Sequence, residues 1–357
     1  LFAPFQSGER AEEMFKKKNK NMDITIGEVI PLDAFSQLPI SLSEQVKLFK
    51  KHLYNIAKNK PGVFLTQKPI AMPEERRELL KALKAECDVL GESPDGKTIY
   101  LYRYGLSSPI MRELGRLREI TFRAVGEGTK QRRDIDKYDK SYYHLILWDK
   151  NDLEIAGAYR FGDVKQLLEK GESIYSTSLF NYNQSMQPYF NKGLELGRSF
   201  VQQKYWGKRS LDYLWIGIGA FLAKHPEYRY LFGPVTLSAQ LPSAAVKLIT
   251  AFYTHYFPDN ENIASAKMPY PICKIAQENF KGLEYKEGLA WLKGALKHMN
   301  VSLPTLYKQY AEICDEGGVR FASFNIDPDF QNCIDGLVIV DMAMLKAKKR
   351  KRYFPLI

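Results

Sequence analysis

The sequence predicts an α/β chain that mixes hairpin and crossover connections. Short runs with apolar–polar alternation or continuous apolar character alternate with stretches of helical period. The strand-like "YYHLILWD" (142–149) and "EIAGAYRFGD" (154–163) are separated only by the hairpin-like turn around "KND", whereas other strand-like runs are separated by helical ones. No G-x-G-x-x-G loop, P-loop or G-x-S-x-G elbow is present, which removes the doubly wound nucleotide-binding reading.

Taken in order, residues 1–20 read as a short helix ending in a basic cluster and 22–30 as a strand. Pro39 punctuates the connector that follows, and 42–58 is helical by period. A helix over 73–86 places Pro73 in the first turn and Glu74 and Glu75 at the positive helix end. "GESPDGK" (91–97) is a turn cluster, and the main domain boundary is expected there. Beyond it come a strand (98–105), a helix (108–126) with Ile110, Leu114, Leu117, Ile120 and Val125 on one face, and a charged loop (126–141). After the 142–163 pair, strands are expected at 193–202 and 228–238, with helices at 210–224, 242–256 and 286–298. "VRFASFNI" and "GLVIVDM" close the series as strands, followed by the basic run "KAKKRKR" (346–352).

The 357 residues suit one large domain or two smaller ones, and 45% hydrophobic with 26% charged residues is globular composition rather than disorder. A net charge of +11 favours an acidic partner. No nucleic-acid recognition motif accompanies that charge. The four cysteines form no C-x-x-C pair and the five histidines no metal-ligating spacing, so reduced thiols and no metal site are expected. "LWIGIGAFLA" (214–223) is about half of what a membrane span needs. The chain begins at Leu1 without a methionine, which suggests a piece of a longer protein.

His144 and Asp149 match the His-x4-Asp pattern of glycerolipid acyltransferases. The residues between them are Leu, Ile, Leu and Trp, a strand in which positions five apart face opposite sides. We therefore read the segment as a strand, with Asp149 starting the turn that follows.

A second set of polar residues stands where a core would not choose them: Arg118 on a helix, Asp134, Asp136 and Asp139 in the loop, Arg160 in a strand, and Glu195 and Arg198 in another. A charge in a central strand needs a partner. The set reads either as a structural ion-pair network or as a pocket that binds and deprotonates a substrate. Gly197 marks a bulge that could bring Glu195 and Arg198 to one side. Gly207, Lys208, Arg209 and Ser210 precede a helix whose free N–H groups suit a phosphate, or Ser210 simply caps that helix.

Arg118 with Phe122, Asp136 with Asp139, Arg160, and Glu195 with Arg198 follow an order that resembles GNAT-type acyltransferases. Within them the chain is similar to ornithine-lipid N-acyltransferases and acyl-homoserine lactone synthases. "LREITFRAVGEGT", "RDIDKYD", "GAYRFG" and "NIDPDFQNCIDGLVIVD" look closer to a hemolysin-like subgroup with an upstream lysophospholipid-acyltransferase-like domain. The resemblance implies a mixed, largely antiparallel central sheet flanked by helices, with two strands splayed around the thioester arm. It also implies three segments: a glycerolipid acyltransferase-like remnant (1–38), a helical linker (39–93) and the GNAT-like domain (94–357).

The activity it implies is acyl transfer from a thioester to the amine of an amino acid or amino-lipid precursor. Glu195 would then take the proton, while Arg118, Asp136, Asp139, Arg160 and Arg198 orient the acceptor and stiffen the loop. Gly207, Lys208, Arg209 and Ser210 would hold the pantetheine phosphate. One glycine in place of two favours an acyl carrier protein over coenzyme A as donor. The acyl-phosphopantetheine thioester is a co-substrate, and no tightly bound cofactor is expected. The location implied is cytoplasmic, the basic runs leaving open peripheral contact with an anionic inner membrane face. The competing readings are a lysophospholipid O-acyltransferase acting through an upstream His-x4-Asp domain, and a non-catalytic module docking on membrane or carrier protein.

Overall fold

The computed structural model describes residues 25–36, 38–104 and 108–354. They fall into two compact units, divided between Pro69 and Ile70. In the first, helix α1 (Leu42–Ala57) opens with a capping box, Ser41 and Glu44 each accepting the other's backbone N–H. His52 on this helix is buried and accepts from the N–H groups of Val63 and Phe64 (2.9 and 3.1 Å). The strand expected over 22–30 is not a ladder: among its described residues only Val29 pairs, in an isolated bridge to Gln67. The expected helix over 1–20 lies outside the described residues.

The second unit is built on an eight-stranded sheet. In chain order the strands are β1 (Cys87–Glu92), β2 (Thr98–Arg103), β3 (Tyr143–Asp149), β4 (Glu154–Asp163), β5 (Phe180–Tyr182), β6 (Gly193–Val201), β7 (Tyr230–Leu237), β8 (Ala264–Ala266), β9 (Val319–Asp327) and β10 (Cys333–Asp341). The large sheet runs β1-β2-β3-β4-β6-β7-β10-β9, and β5 pairs with β8 apart from it. Every neighbouring pair is antiparallel except β6 with β7. This is the mixed, largely antiparallel sheet that was expected.

Helices cover both faces because the central strands are apolar on both. On β2, Tyr100 and Tyr102 pack with Leu79, Leu83, Leu114 and Leu117 of helices α2 (Arg76–Glu86) and α3 (Pro109–Ala124). Ile99 and Leu101 face the other way, toward Leu214, Trp215 and Ile218 of α4 (Ser210–Lys224). Helices α5 (Ser243–Tyr256) and α6 (Tyr285–His298) belong to that second core. The basic run near the end forms α7 (Ala347–Tyr353). No helix among the described residues is long and apolar enough to cross a membrane.

Two boundaries differ from expectation. Helix α2 starts at Arg76, where the Glu75 carboxylate accepts from the Glu78 N–H (2.7 Å). Pro73 and Glu74 precede it, and Glu74 instead receives Arg112 (2.8 and 2.9 Å). The 91–97 turn, where the main domain boundary is expected, joins β1 to β2 as a hairpin. Strand β1 escaped notice because it is a half-exposed edge, "CDVLGE", with no apolar run.

The feature that positions the site is the short life of the parallel pair. β6 and β7 are in register only at Gly193–Tyr230, Leu194–Leu231 and Glu195–Phe232. Beyond these, β6 pairs only with β4 and β7 only with β10. The parting begins at a very close approach: a Cβ on Gly233 would lie 2.1 Å from the Leu196 carbonyl oxygen. β6 also bulges, its register to β4 shifting between Phe200 and Gly197, with Arg198 in the left-handed region at φ 47°.

Gly233→Ala is therefore expected to cost about 1–3 kcal/mol of stability by forcing β6 and β7 apart. Gly197→Ala, with open space around its Cβ, should leave the denaturant midpoint nearly unchanged. Equal midpoints for the two variants would contradict this account of the parting.

Candidate active site

The loop after α3 is bent back toward the sheet. The Asp134 N–H donates to the Gly115 carbonyl (2.8 Å), and Asp136 caps a short turn, Lys137–Lys140, whose Asp139 carboxylate returns to the Asp136 N–H (2.8 Å). The three aspartates meet three arginines. Arg118 reaches Asp139 (2.7 Å), Arg160 reaches Asp136 and Asp139 (2.6 and 2.9 Å), and Arg198 reaches Asp134 and Asp136 (3.1 and 3.2 Å). Arg118 and Arg160 are fully buried. Burial alone would raise the Asp139 carboxyl, but Arg118 and Arg160 hold it far below the usual range.

His144 belongs to this network. Its Nε2–H donates to the Asp139 carbonyl and its Nδ1 accepts from Arg118 (3.0 Å each), which fixes a neutral tautomer. Burial and the Arg118 charge pull the imidazole down to about 3. Asp149 is turned the other way, accepting the Asn151 and Asp152 N–H groups (2.9 and 3.3 Å) and the Tyr205 hydroxyl (3.1 Å). The two are not a dyad.

A cleft of about 970 Å³ opens where β6 and β7 part. Leu196–Val201 and Pro234–Thr236 form its strand walls, and Phe122, Leu241, Met299 and Val301 supply apolar lining. Of the four residues expected to hold a phosphate, Gly207 and Lys208 line the cleft. Arg209 and Ser210 do not. Arg209 is the N-cap residue of α4 and turns to Asp212 (3.1 Å), while Ser210 is buried as the first helical residue and makes no cap bond.

Of the six residues expected to act on substrate, only Arg198 lines the cleft. Arg118, Asp136, Asp139 and Arg160 lie behind it and hold Arg198 and the loop in place. Glu195 requires a correction. Its buried carboxylate accepts the Tyr142 hydroxyl and the N–H groups of Tyr175 (2.8 Å) and Ser176 (2.7 Å). It anchors the turn at 174–178 and does not line the cleft, so it is not placed to take a proton there.

The carboxylates that do face the cleft are Glu127, Asp327 and Asp335. Burial, reinforced by Asp335, pushes the Glu127 carboxyl up to about 8. Burial pushes Asp335 up to about 7, Asp327 adding to the effect, while the Thr236 hydroxyl (2.7 Å) and Arg198 oppose it. Asp335 was legible in principle, as a lone charge in the apolar run "CIDGLVIV". Glu127 carried no signal, since it stands in a charged loop.

Residues 117–216 match the profile of a family described as an acetyltransferase (GNAT) domain. The glycine N(alpha)-acyltransferase of Bacteroides thetaiotaomicron is 32% identical over 296 residues, 78% of this chain and 87% of that protein. The enzyme of the same name from Phocaeicola vulgatus is 32% identical over 255 residues, 66% of this chain and 78% of that protein. The L-ornithine N(alpha)-acyltransferase of Rhizobium meliloti is 32% identical over a shorter 114 residues, 30% of this chain and 38% of that protein. A sheet parted around a cleft and these relatives define a GNAT-type acyltransferase. The chain belongs to the N(alpha)-acyltransferase family of that type.

Asp139→Asn leaves the buried Arg118 guanidinium without a carboxylate and takes one of two from Arg160, and should cost about 3–5 kcal/mol at neutral pH. The depressed Asp139 carboxyl contributes stability that is present above the unfolded value of about 4 and lost as pH falls below it. Urea titrations at pH 7 and pH 3 should thus differ less for the variant than for the native chain. Glu195→Gln is expected to lower the melting temperature while the folded protein keeps its kcat; a hundredfold loss of kcat with unchanged stability would restore Glu195 as the base.

Proposed function

We propose that this chain moves a fatty acyl group from a thioester carried by acyl carrier protein to the amine of an amino acid or amino-lipid precursor. The observation that carries the reading is the parting of β6 from β7. Beyond Glu195 the β7-facing edge of β6 has no strand partner, so an extended pantetheine arm can lie along it as a strand would. The cleft volume leaves room for an acyl chain, and Phe122, Val125, Leu241, Met299 and Val301 give that chain an apolar bed. The reaction is attack of the amine nitrogen on the thioester carbon, with the C–S bond breaking and the thiol leaving. An amino acid acceptor agrees with the relatives, which are named for action on glycine and on L-ornithine.

The preference for a protein-borne donor rests on the surface beside the phosphate end. Arg209, at the start of α4, and Arg352, on α7, converge on the same Asp212 carboxylate. Helix α7 therefore stands beside the first turn of α4, with Lys348, Arg350, Lys351 and Arg352 exposed. Burial pulls the Lys349 ammonium down, Arg352 and Lys346 adding to the effect while Glu312 and Asp212 oppose it. An acidic carrier protein fits this surface better than a small nucleotide thioester needs. The same surface is the part of the chain that suits an anionic membrane face.

Incubation with acyl carrier protein thioesters and a panel of amino acids, followed by mass spectrometry, should yield N-acyl amino acids. Product with coenzyme A thioesters alone would defeat the donor assignment. The double variant Lys348→Glu, Lys351→Glu is expected to raise KM for the carrier-borne donor about tenfold, near 1.4 kcal/mol, and to leave KM for the coenzyme A thioester unchanged.

A further inference from the structure

The established family and the proposed reaction leave one chemical role without a residue. The acceptor is an ammonium ion at neutral pH, and an acyl group moves only to the free amine. Glu195, the residue the sequence offers, is committed to the turn at 174–178. We propose that Glu127 is the group that takes the proton from the acceptor, and that Asp335 is the positioning carboxylate that keeps Glu127 competent to receive it. The inference rests on the acyl-transfer reading above.

The geometry is built rather than incidental. Glu127 follows α3 in a segment braced from two sides. The Ser238 hydroxyl, just past β7, donates to the Val125 carbonyl (2.6 Å), and the Gln331 side chain, between β9 and β10, donates to the Gly128 carbonyl (3.5 Å). The Glu127 N–H closes the α3 end on the Phe122 carbonyl (2.8 Å). Gly126 makes the bend possible at φ 76°, where a Cβ would also strike the Gln240 side chain. The Cys333 thiol approaches the Gly126 carbonyl, and Asp335 lies two residues further along β10, so it faces the same side as Cys333. Both carboxylates line the cleft.

Their surroundings differ in a way that separates the roles. Asp335 is buried and already accepts the Thr236 hydroxyl. Asp327 accepts the Asp329 N–H (3.0 Å) in the turn it caps. Among the described residues the Glu127 carboxylate has no hydrogen bond or ion pair, although the surrounding chain buries most of it. An unpaired, largely desolvated carboxylate facing a cleft holds its proton tightly, and the charge of Asp335 strengthens that hold. The charged and titratable groups around Asp335 are Arg198 on β6, Asp327 on β9, Glu127, the Cys333 thiol, and the hydroxyls of Tyr175 and Tyr307. Arg198 is the single cation among them and is already engaged by Asp134 and Asp136.

In the step proposed, the ammonium gives one proton to the Glu127 carboxylate. The freed nitrogen attacks the thioester carbon, the C–S bond breaks, and the second nitrogen proton leaves with the thiolate as thiol. Glu127 then returns its proton to water, so one amide, one thiol and one proton are formed per turnover.

The pH dependence of kcat/KM tests this with a shift that the acceptor's own ionisation cannot produce. The native chain should gain activity as pH rises through about 8, where the Glu127 carboxyl ionises. Glu127→Gln should lose kcat by about a hundredfold or more together with that limb. Asp335→Asn should move the limb to lower pH, because the neighbouring negative charge is gone. A limb that stays in place in both variants belongs to the amine and overturns the proposal, as does native kcat in Glu127→Gln. Carbon-13 titration of the side-chain carboxyls reads the same pair without turnover. Signals that titrate above pH 6 and vanish in the two variants support it, whereas carboxyls that all titrate below pH 5 overturn it. A native chain that acylates no amine, yet shows those high-titrating signals, defeats the acyl-transfer reading and leaves the paired carboxylates standing.

Discussion

Three arginines and three aspartates, nearly all removed from water, form the interaction on which the rest of the second unit depends. They arrive from α3, the loop behind it, β4 and β6, and no single element could bury its own share. An isolated guanidinium in an apolar interior is prohibitively costly. The lattice is favourable only when complete, so it orders four segments at once. Arg198 shows the consequence most directly. Its left-handed backbone is unusual for a residue with a side chain, and its guanidinium is held by Asp134 and Asp136. The bulge in β6 follows, and with it the edge that faces the cleft.

The lattice also explains a division of labour. Arg118, Arg160 and Asp139 are too deep to meet any ligand, so their work is mechanical. Arg198 stands at the boundary, charged on one side by the lattice and bordering the cleft on the other. Glu195 repeats the pattern on a smaller scale: a buried carboxylate that is rich in donors and serves a turn. A residue that is chemically capable can thus be structurally occupied, and its hydrogen-bond partners decide which.

Much of the architecture was legible from period and punctuation. The β3–β4 hairpin, the helices covering 42–57, 109–124 and 210–224, and the strands of the second half follow from apolar spacing. What escaped was set by long-range pairing. β1 is an edge with little to bury, and 22–30 has the alternation of a strand but only one bridging residue among those described. For the site, residue type identified which charges must be buried but not which way they face. Arg118, Asp136, Asp139, Arg160 and Arg198 do meet, as a charge in a strand must. Glu195 and Asp335 carry the same signal in sequence, a lone acid in an apolar run. Only the donors that turn toward Glu195, and the opening beside Asp335, separate a structural acid from one facing the cleft.

The order of strands has a consequence for biosynthesis. β10 is the last strand among the described residues, yet it lies inside the sheet, between β7 and β9. Until it emerges from the ribosome, the side of β7 away from β6 is an unpaired edge. Nascent chains thus carry an open, sticky sheet margin from the emergence of β7 to that of β10, roughly 100 residues later. They gain Asp335 only when that margin closes, so competence for chemistry and protection from aggregation come in the same late event.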